Sequence, residues 1–467
     1  MIPIAKHTML QSLKDAKFLF LSCLVILAFV VNAFVYSENY GSSFAEWQEA
    51  VQVNSSELEQ KMGNLQLFAI HYQKMYKPPS AAAFIADGGE RELPDTWTVS
   101  AFVNMEPEKT IRGNKMLPLL GRFDWGFIVG TLMTLLAFLV SYDAVCGEKQ
   151  DGTLRHILAC PVSRIELFVG KYLGLLAILL LVLILGIAAN LAVMLLLGSI
   201  PLTEGILWAM GWAFALSVFC LSLTLLFGML ISSLVSHPPV SMVILLVVWI
   251  LITVAIPGIA RLLGEQAVSV MSEFETSREI KAAEKEVMDN ASDEAKMQHR
   301  DPFHKDFPLR AEMWRSMMAA AQRILDRSNE TRLRQFEIVN AFASISPSSL
   351  LNSSLQEVVA TGAPGFRALK SAASLYQQQL FDFTTRRDAM DPETPHLVYA
   401  HYTFTDWGVF SGKPVEPGSY PRAEDLWRAG GLPQEQSQPV WQLVIFLVLN
   451  LNMALAAFIA LVRYDPR

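Results

Sequence analysis

The residue types able to do chemistry are few in this chain, and their spacing supports little of it. Of the eight histidines, His299 and His304 lie near Met297, and His396 precedes His401 by five positions. No HExxH or comparable spacing occurs, and five residues apart in a loop fix no ligand geometry, so solvated histidines are expected. The four cysteines, Cys23, Cys146, Cys160 and Cys220, lie within or beside apolar runs. Neither a disulfide framework nor a zinc pair follows, because no second pair or histidine cluster stands near Cys146 and Cys160. There is no Gly-x-Ser-x-Gly and no serine–histidine pairing with meaningful spacing. Gly170-Lys171 is followed by Tyr172, and position 165 is Ile165, so the chain has no P-loop. The expectation is a chain with no catalytic residue, cofactor or metal of its own. Energy must come from elsewhere.

The informative tract runs from Glu148 to Tyr172. Asp151-Gly152 makes a turn, and either Asp151 or Thr153 can cap a short helix. Leu154, Ile157 and Leu158 then share one face at i, i+3 and i+4, with Arg155 on another. Pro161 ends that helix, because a proline pushes its predecessor out of the α region. Ser163 with Glu166 three residues on reads as a capping box that opens a new helix near Arg164. A short amphipathic helix between two membrane helices can offer its apolar face to a partner groove and pass motion to the spans. It can equally be a plain surface connector.

The elements that must position this tract are legible from composition. The 467 residues are 52% hydrophobic and 17% charged, with a mean hydropathy of +0.33, against about a quarter charged in ordinary soluble domains. The apolar excess forms six spans at 18–36, 125–142, 172–197, 206–235, 240–257 and 441–462, each near the ~20 residues a hydrocarbon core requires. None contains a charged side chain, and Trp125, Trp208 and Trp441 lie at or near span ends. The first run follows Lys14 and Lys17, yet it is longer than the ~7–15 residues of a signal-peptide core and lacks a small-residue cleavage site. A retained helix is expected. Lysines and arginines collect in 1–17, in 143–170 and in the tail 463–467, which places both termini and that loop in the cytosol. Two hydrophilic insertions, 37–122 and 258–440, then fall outside. They are acidic, as solvated faces are, and the net charge of −7 with no basic stripe argues against nucleic acid.

Helical stripes recur in the second insertion. They run through Val268, Met271, Phe274, Ile280, Ala283 and Val287, through Met313, Met317, Ala320 and Ile324, and through Phe366, Leu369, Ala373, Tyr376, Leu380 and Phe383. Pro302 and Pro308 bound a linker. Thr96–Val103 and Leu397–Phe404 carry aromatic and β-branched residues, so both insertions are expected to give strands to one small mixed domain. Inside the spans, Asn190, Asn450 and Asn452 either line a substrate path or, the favoured reading, bond and pack between helices. Gly126 and Gly130 form a Gly-x-x-x-Gly of the same kind. The fold expected is an all-α polytopic membrane protein with a mostly helical outer domain.

The tract resembles the signature of ABC-2-type transporter permeases, Glu-x-x-x-Gly-Thr-Leu followed by Pro-x-Ser-Arg and Gly-Lys. It matches at Glu148, Gly152, Thr153, Leu154, Pro161, Ser163, Arg164, Gly170 and Lys171. The layout is similar to a subgroup with large extracytoplasmic insertions after the first and fifth spans, and Ser346-Pro347 with the helices after it is similar to that subgroup's second insertion. The resemblance implies a permease in the bacterial cytoplasmic membrane, paired with a second copy or a paralogue and seated on two cytosolic ATPase subunits that hold ATP and magnesium. It implies an interfacial helix at 1–17 and a coupling role for Glu148, Gly152, Thr153, Leu154, Arg155, Ile157, Leu158, Pro161, Ser163 and Arg164. The activity implied is export of a substrate. The alternative is mechanical action on a periplasmic accessory protein with nothing crossing the bilayer, and a receptor without an ATPase is a third class.

Overall fold

The computed structural model describes residues 1–89, 93–102, 106–108, 123–159, 161–300, 308–397, 410–428 and 439–463. Six helices are long and apolar enough to cross a bilayer: Ala16–Lys61, Trp125–Gln150, Arg164–Leu197, Glu204–Leu234, Pro238–Ala267 and Val440–Val462. The chain is thus an all-α polytopic membrane protein in which every expected span is present. The end of the bundle that carries the loop between the second and third spans is called the motif end. The other, which carries both insertions, is the insertion end.

Several spans run past their apolar segments. The first continues to Lys61, 46 residues in all, or roughly 70 Å at ~1.5 Å per residue. It therefore stands well clear of a core ~30 Å thick. The extension holds because 37–61 contains no proline, and Tyr40, Phe44 and Trp47 stack along one face with ring centroids 5.7 and 5.5 Å apart. The fifth span, expected to stop at Pro257, continues to Ala267. Proline removes one backbone donor, and the preceding Leu251–Ala255 turn winds as a π-helix, which absorbs the mismatch. A second π-helix, Ile128–Met133, lies in the second span.

The insertions build one mixed domain. Strands β1 (Gln73–Tyr76), β2 (Thr96–Val99) and β3 (Glu106–Glu108) form an antiparallel sheet in that order, with Gln73 opposite Val99 and Thr96 opposite Glu108. Helix Gly362–Ala389 crosses it, with Phe366 against Trp97 at 5.5 Å and Tyr376 and Leu380 buried in the same core as Phe68 and Phe410. The expected strand at Thr96–Val103 is therefore shorter, and the one at Leu397–Phe404 lies, past Leu397, outside the described residues. Val268 and Met271 precede their helix, which starts at Glu273 on a capping box from Ser272 and Glu275. Helix Pro308–Ala343 carries the Met313 stripe. Pro302 of the proposed linker lies outside the described residues.

Within the second insertion, helix Pro347–Val359 is threaded among the spans. Leu350, Leu351, Leu355 and Val358 share a core with residues of the first four spans. Cys220, near the middle of the fourth span, donates its thiol to Pro347 O at 3.7 Å, and Ser346 Oγ donates to Ile252 O of the fifth at 2.7 Å. Close approach requires the small residues opposite: a Cβ on Gly130 would lie 3.2 Å from Ser348 Cβ. Gly126 and Gly130 thus receive a re-entrant helix.

Candidate functional site

The motif loop folds as two short helices, Cys146–Gln150 and Thr153–Ala159, joined at Gly152. Gly152 has φ of 71°, a left-handed conformation that glycine adopts without a Cβ penalty. After Pro161, helix Arg164–Leu197 opens on the expected capping box. Ser163 Oγ accepts the Glu166 N–H at 3.1 Å, and Glu166 Oε2 accepts the Ser163 N–H at 3.0 Å.

Around this frame, charged side chains reach three spans. Lys171 Nζ pairs with Glu148 Oε1 at 2.6 Å; the lysine is 8% exposed and the glutamate 28%. Lys171 also donates to Ala144 O. Lys149 Nζ donates to Ser233 O and, at 3.3 Å, to Val235 O, where the fourth span ends. Ser232 Oγ accepts the N–H groups of Val145 and Cys146 at 3.0 and 3.1 Å. Arg164 Nη1 donates to Val462 O at 2.7 Å and Leu461 O at 3.3 Å. Cations on the last carbonyls of two helices complement the negative ends of their dipoles.

Leu154 is fully buried, with Val145, Leu167, Phe168, Met229 and Leu461, and Ile157 packs on the same cluster. Leu154 and Ile157 of Thr153–Ala159 thus pack on the chain's own third, fourth and sixth spans. What faces outward is the opposite side, where Asp151, Thr153, Arg155, His156 and Pro161 are exposed. The Leu158 side chain and Cys160 lie outside the described residues. The first helix, Ile2–Leu13, lies against the third span, where a Cβ on Gly170 would meet Ile4 at 3.0 Å and one on Gly174 would meet Ala5 O at 2.5 Å.

Sequence reasoning missed the partners of Glu148 and Arg164, and missed Lys149, Ser232 and Lys171 as one cluster. The spacing of Glu148 and Lys171 gives no cue, since the pair closes across a turn and two helices. Tract residues Glu148, Leu154, Ile157, Ser163 and Arg164 do come together at one end of the bundle.

The three span asparagines do not converge. Asn190 Nδ2 donates to Phe29 O at 2.8 Å and Asn32 Oδ1 at 2.7 Å, joining the first and third spans. Asn450 accepts from Ser222 Oγ at 2.6 Å and donates to Phe219 O at 3.1 Å, joining the fourth and sixth. Ser222 also bonds Tyr172 at 2.6 Å. Asn452 is exposed and bonds back to Val448 O within its own helix. The first two act as interhelical hydrogen bonds.

The family model described as ABC-2 family transporter protein matches residues 2–385. A probable ABC transporter permease protein NosY from Stutzerimonas stutzeri is 35% identical over 102 residues, 20% of this chain and 37% of that protein. A second, from Pseudomonas aeruginosa, is 49% identical over 43 residues, 9% of this chain and 16% of its own length. The matched stretches cover well under two thirds of either relative. With most of its length matched and six helices long and apolar enough to span a membrane, the chain belongs to the ABC-2 transporter family and is an integral membrane protein.

Proposed function

We propose that this permease couples ATP hydrolysis by a separate cytosolic subunit to export of a substrate across the bacterial cytoplasmic membrane. The motif end faces the cytosol with both termini, and the insertions face out. Two copies, or this chain and a paralogue, sit on two ATPase subunits that bind ATP and magnesium. The chain performs no hydrolysis of its own. The observation that carries this reading is the triple attachment of one loop: Glu148 to the third span, Lys149 to the end of the fourth, Arg164 to the end of the sixth. A push on the exposed side of Thr153–Ala159 reaches three membrane helices at once, because the buried Leu154 side leaves no slack between loop and bundle.

Replacing Arg155 and His156 together by glutamate tests the docking face. The co-purified ATPase is expected to fall about tenfold, with the permease still folded. Unchanged recovery, with unchanged stimulation of hydrolysis, overturns the coupling role.

A second reading is supported by a specific observation. The first span is one unbroken helix from Ala16 to Lys61, and the re-entrant helix Pro347–Val359 leads through Thr361 into Gly362–Ala389, the helix at the heart of the outer domain. Such struts suit mechanical transmission to a periplasmic protein without translocation. Spin labels at Val53 and Leu263, both exposed, distinguish the readings together with a flux assay in sealed vesicles. Nucleotide-dependent distance changes without flux of any vesicle-loaded candidate favour transmission, whereas flux in step with hydrolysis favours export.

A further inference from the structure

At the insertion end, the chain has a joint that the coupling loop does not explain. Phe84, Ile85 and Ala86 are fully buried although they belong to a loop. Their carbonyls are bonded from every side. Trp125 and Gly126 N–H donate to Phe84 O and Ile85 O at 3.0 and 3.1 Å. Asn32 Nδ2 donates to Phe84 O at 3.1 Å, and Thr361 Oγ1 to Ala86 O at 2.7 Å. The Asp124 carboxylate sits in this joint. Asp124 Oδ1 accepts the Phe127 N–H at 2.7 Å, and Oδ2 accepts the Asp87 N–H at 2.9 Å.

Asn352 of the re-entrant helix closes over it. A Cβ on Gly126 would stand 2.5 Å from Asn352 Oδ1 and 3.3 Å from Asp124 Oδ1, so both oxygens crowd the space that the missing side chain leaves. Asn352 Oδ1 is buried and receives no hydrogen bond among the described residues. An acceptor in that position lacks a donor, and the carboxyl of Asp124, on the other side of the same gap, becomes one when it is protonated.

We propose that Asp124 is a proton-operated latch: protonated, it donates to Asn352 Oδ1 and ties the re-entrant helix to the second span, and ionised, it releases that contact. The proton comes from solvent and is bound or lost without other chemistry. The groups facing Asp124 are the backbone N–H groups of Asp87 and Phe127 and, across Gly126, Asn352 of the re-entrant helix; Asp87 is the titratable residue beside it on the loop. Glu357, the acid of the re-entrant helix, is held by Gln442 of the sixth span. No charged side chain among the described residues perturbs Asp124.

Burial pushes the Asp124 carboxyl from 3.8 up to about 6, against the opposing pull of its N–H donors. A raised folded-state value means that folding favours the protonated acid. The stabilisation is complete below about pH 4 and disappears as pH rises through 6. The latch therefore closes on acidification. It goes beyond the coupling proposed above and does not depend on it.

The test uses the full chain in detergent, without the ATPase, between pH 5 and 7.5. The melting temperature is expected to fall by several degrees as pH rises, with a midpoint near 6. Backbone amides of 348–356 should exchange more slowly at pH 5 than at 7.5 after correction for intrinsic rates. Asp124→Asn, whose amide donates to Asn352 at any pH, should flatten both profiles at the acid-side value. Asn352→Ala should remove the acid-side gain. A wild-type profile retained in Asp124→Asn overturns the latch. If that variant does not fold, an unchanged midpoint in Asn352→Ala overturns it, as does pH-independent exchange of 348–356 in the wild type.

Discussion

The two ends of the bundle are tied together by different chemistry. At the motif end the ties are charged: Lys171 on Glu148, Lys149 on the last carbonyls of the fourth span, Arg164 on those of the sixth. At the insertion end they are mostly neutral amides and hydroxyls, with Asn32, Asn190 and Thr361 donating to carbonyls, beside two carboxylates that accept, Glu357 from Gln442 and Asp124 from backbone N–H groups. The difference follows from what each end must do. Long cationic side chains reach carbonyls across a loop while keeping partial access to water, and their strength changes when a partner alters the local solvent. Short amides at the base of a span are fixed in length and insensitive to salt. The motif end is adjustable and the insertion end is a fixed hinge, apart from the carboxyl groups of Asp124 and Glu357.

The largest expected effect breaks the charged end. Lys171→Met leaves Glu148 with its Oε1 unpaired in a part-buried site, and should cost about 3 kcal/mol, because removing one partner of a buried pair strands the other charge. Pairing it with Glu148→Gln should recover most of that loss in a detergent melt. Next comes the neutral end. Asn190→Leu deletes the bonds to Phe29 O and Asn32 and should cost about 1–2 kcal/mol. That loss should not change between low and high salt, in contrast to the Lys171 variant. Smallest is Ser163→Ala, which removes one half of the capping box and should cost about 1 kcal/mol, with the third span intact by circular dichroism. Equal salt sensitivity for the Lys171 and Asn190 variants would erase the distinction between the ends.

The motif end was readable because its signals are local. Ser163 and Glu166 are three residues apart, Gly152 marks a turn, and Leu154 and Ile157 share a helical face. Periodicity could not say which way that face points, since its partners Met229 and Leu461 come from spans far along the chain. The six spans were equally legible from their apolar length. The insertion end was not. Helix Pro347–Val359 holds four serines and an asparagine in its first eight residues, a composition that reads as exposed. Ser353 and Ser354 in fact turn back onto Leu350 O, and Ser346 caps on Ile252 O of another helix. Local bonding of this kind lets a polar helix enter an apolar bundle. The first span's extension to Lys61 was missed for a related reason: its polar half keeps helical geometry by stacking aromatics and packing on β1 rather than by an apolar face.

Lys149 offers the most direct measurement, because its side chain ties the loop to the last carbonyls of the fourth span without forming the docking face. With Lys149→Met assembled on its ATPase, the labels at Val53 and Leu263 should lose most of their nucleotide-dependent distance change, while ATPase recovery and basal hydrolysis stay near wild type. A distance change of wild-type size in that complex would contradict force transfer through the loop's attachments to the spans.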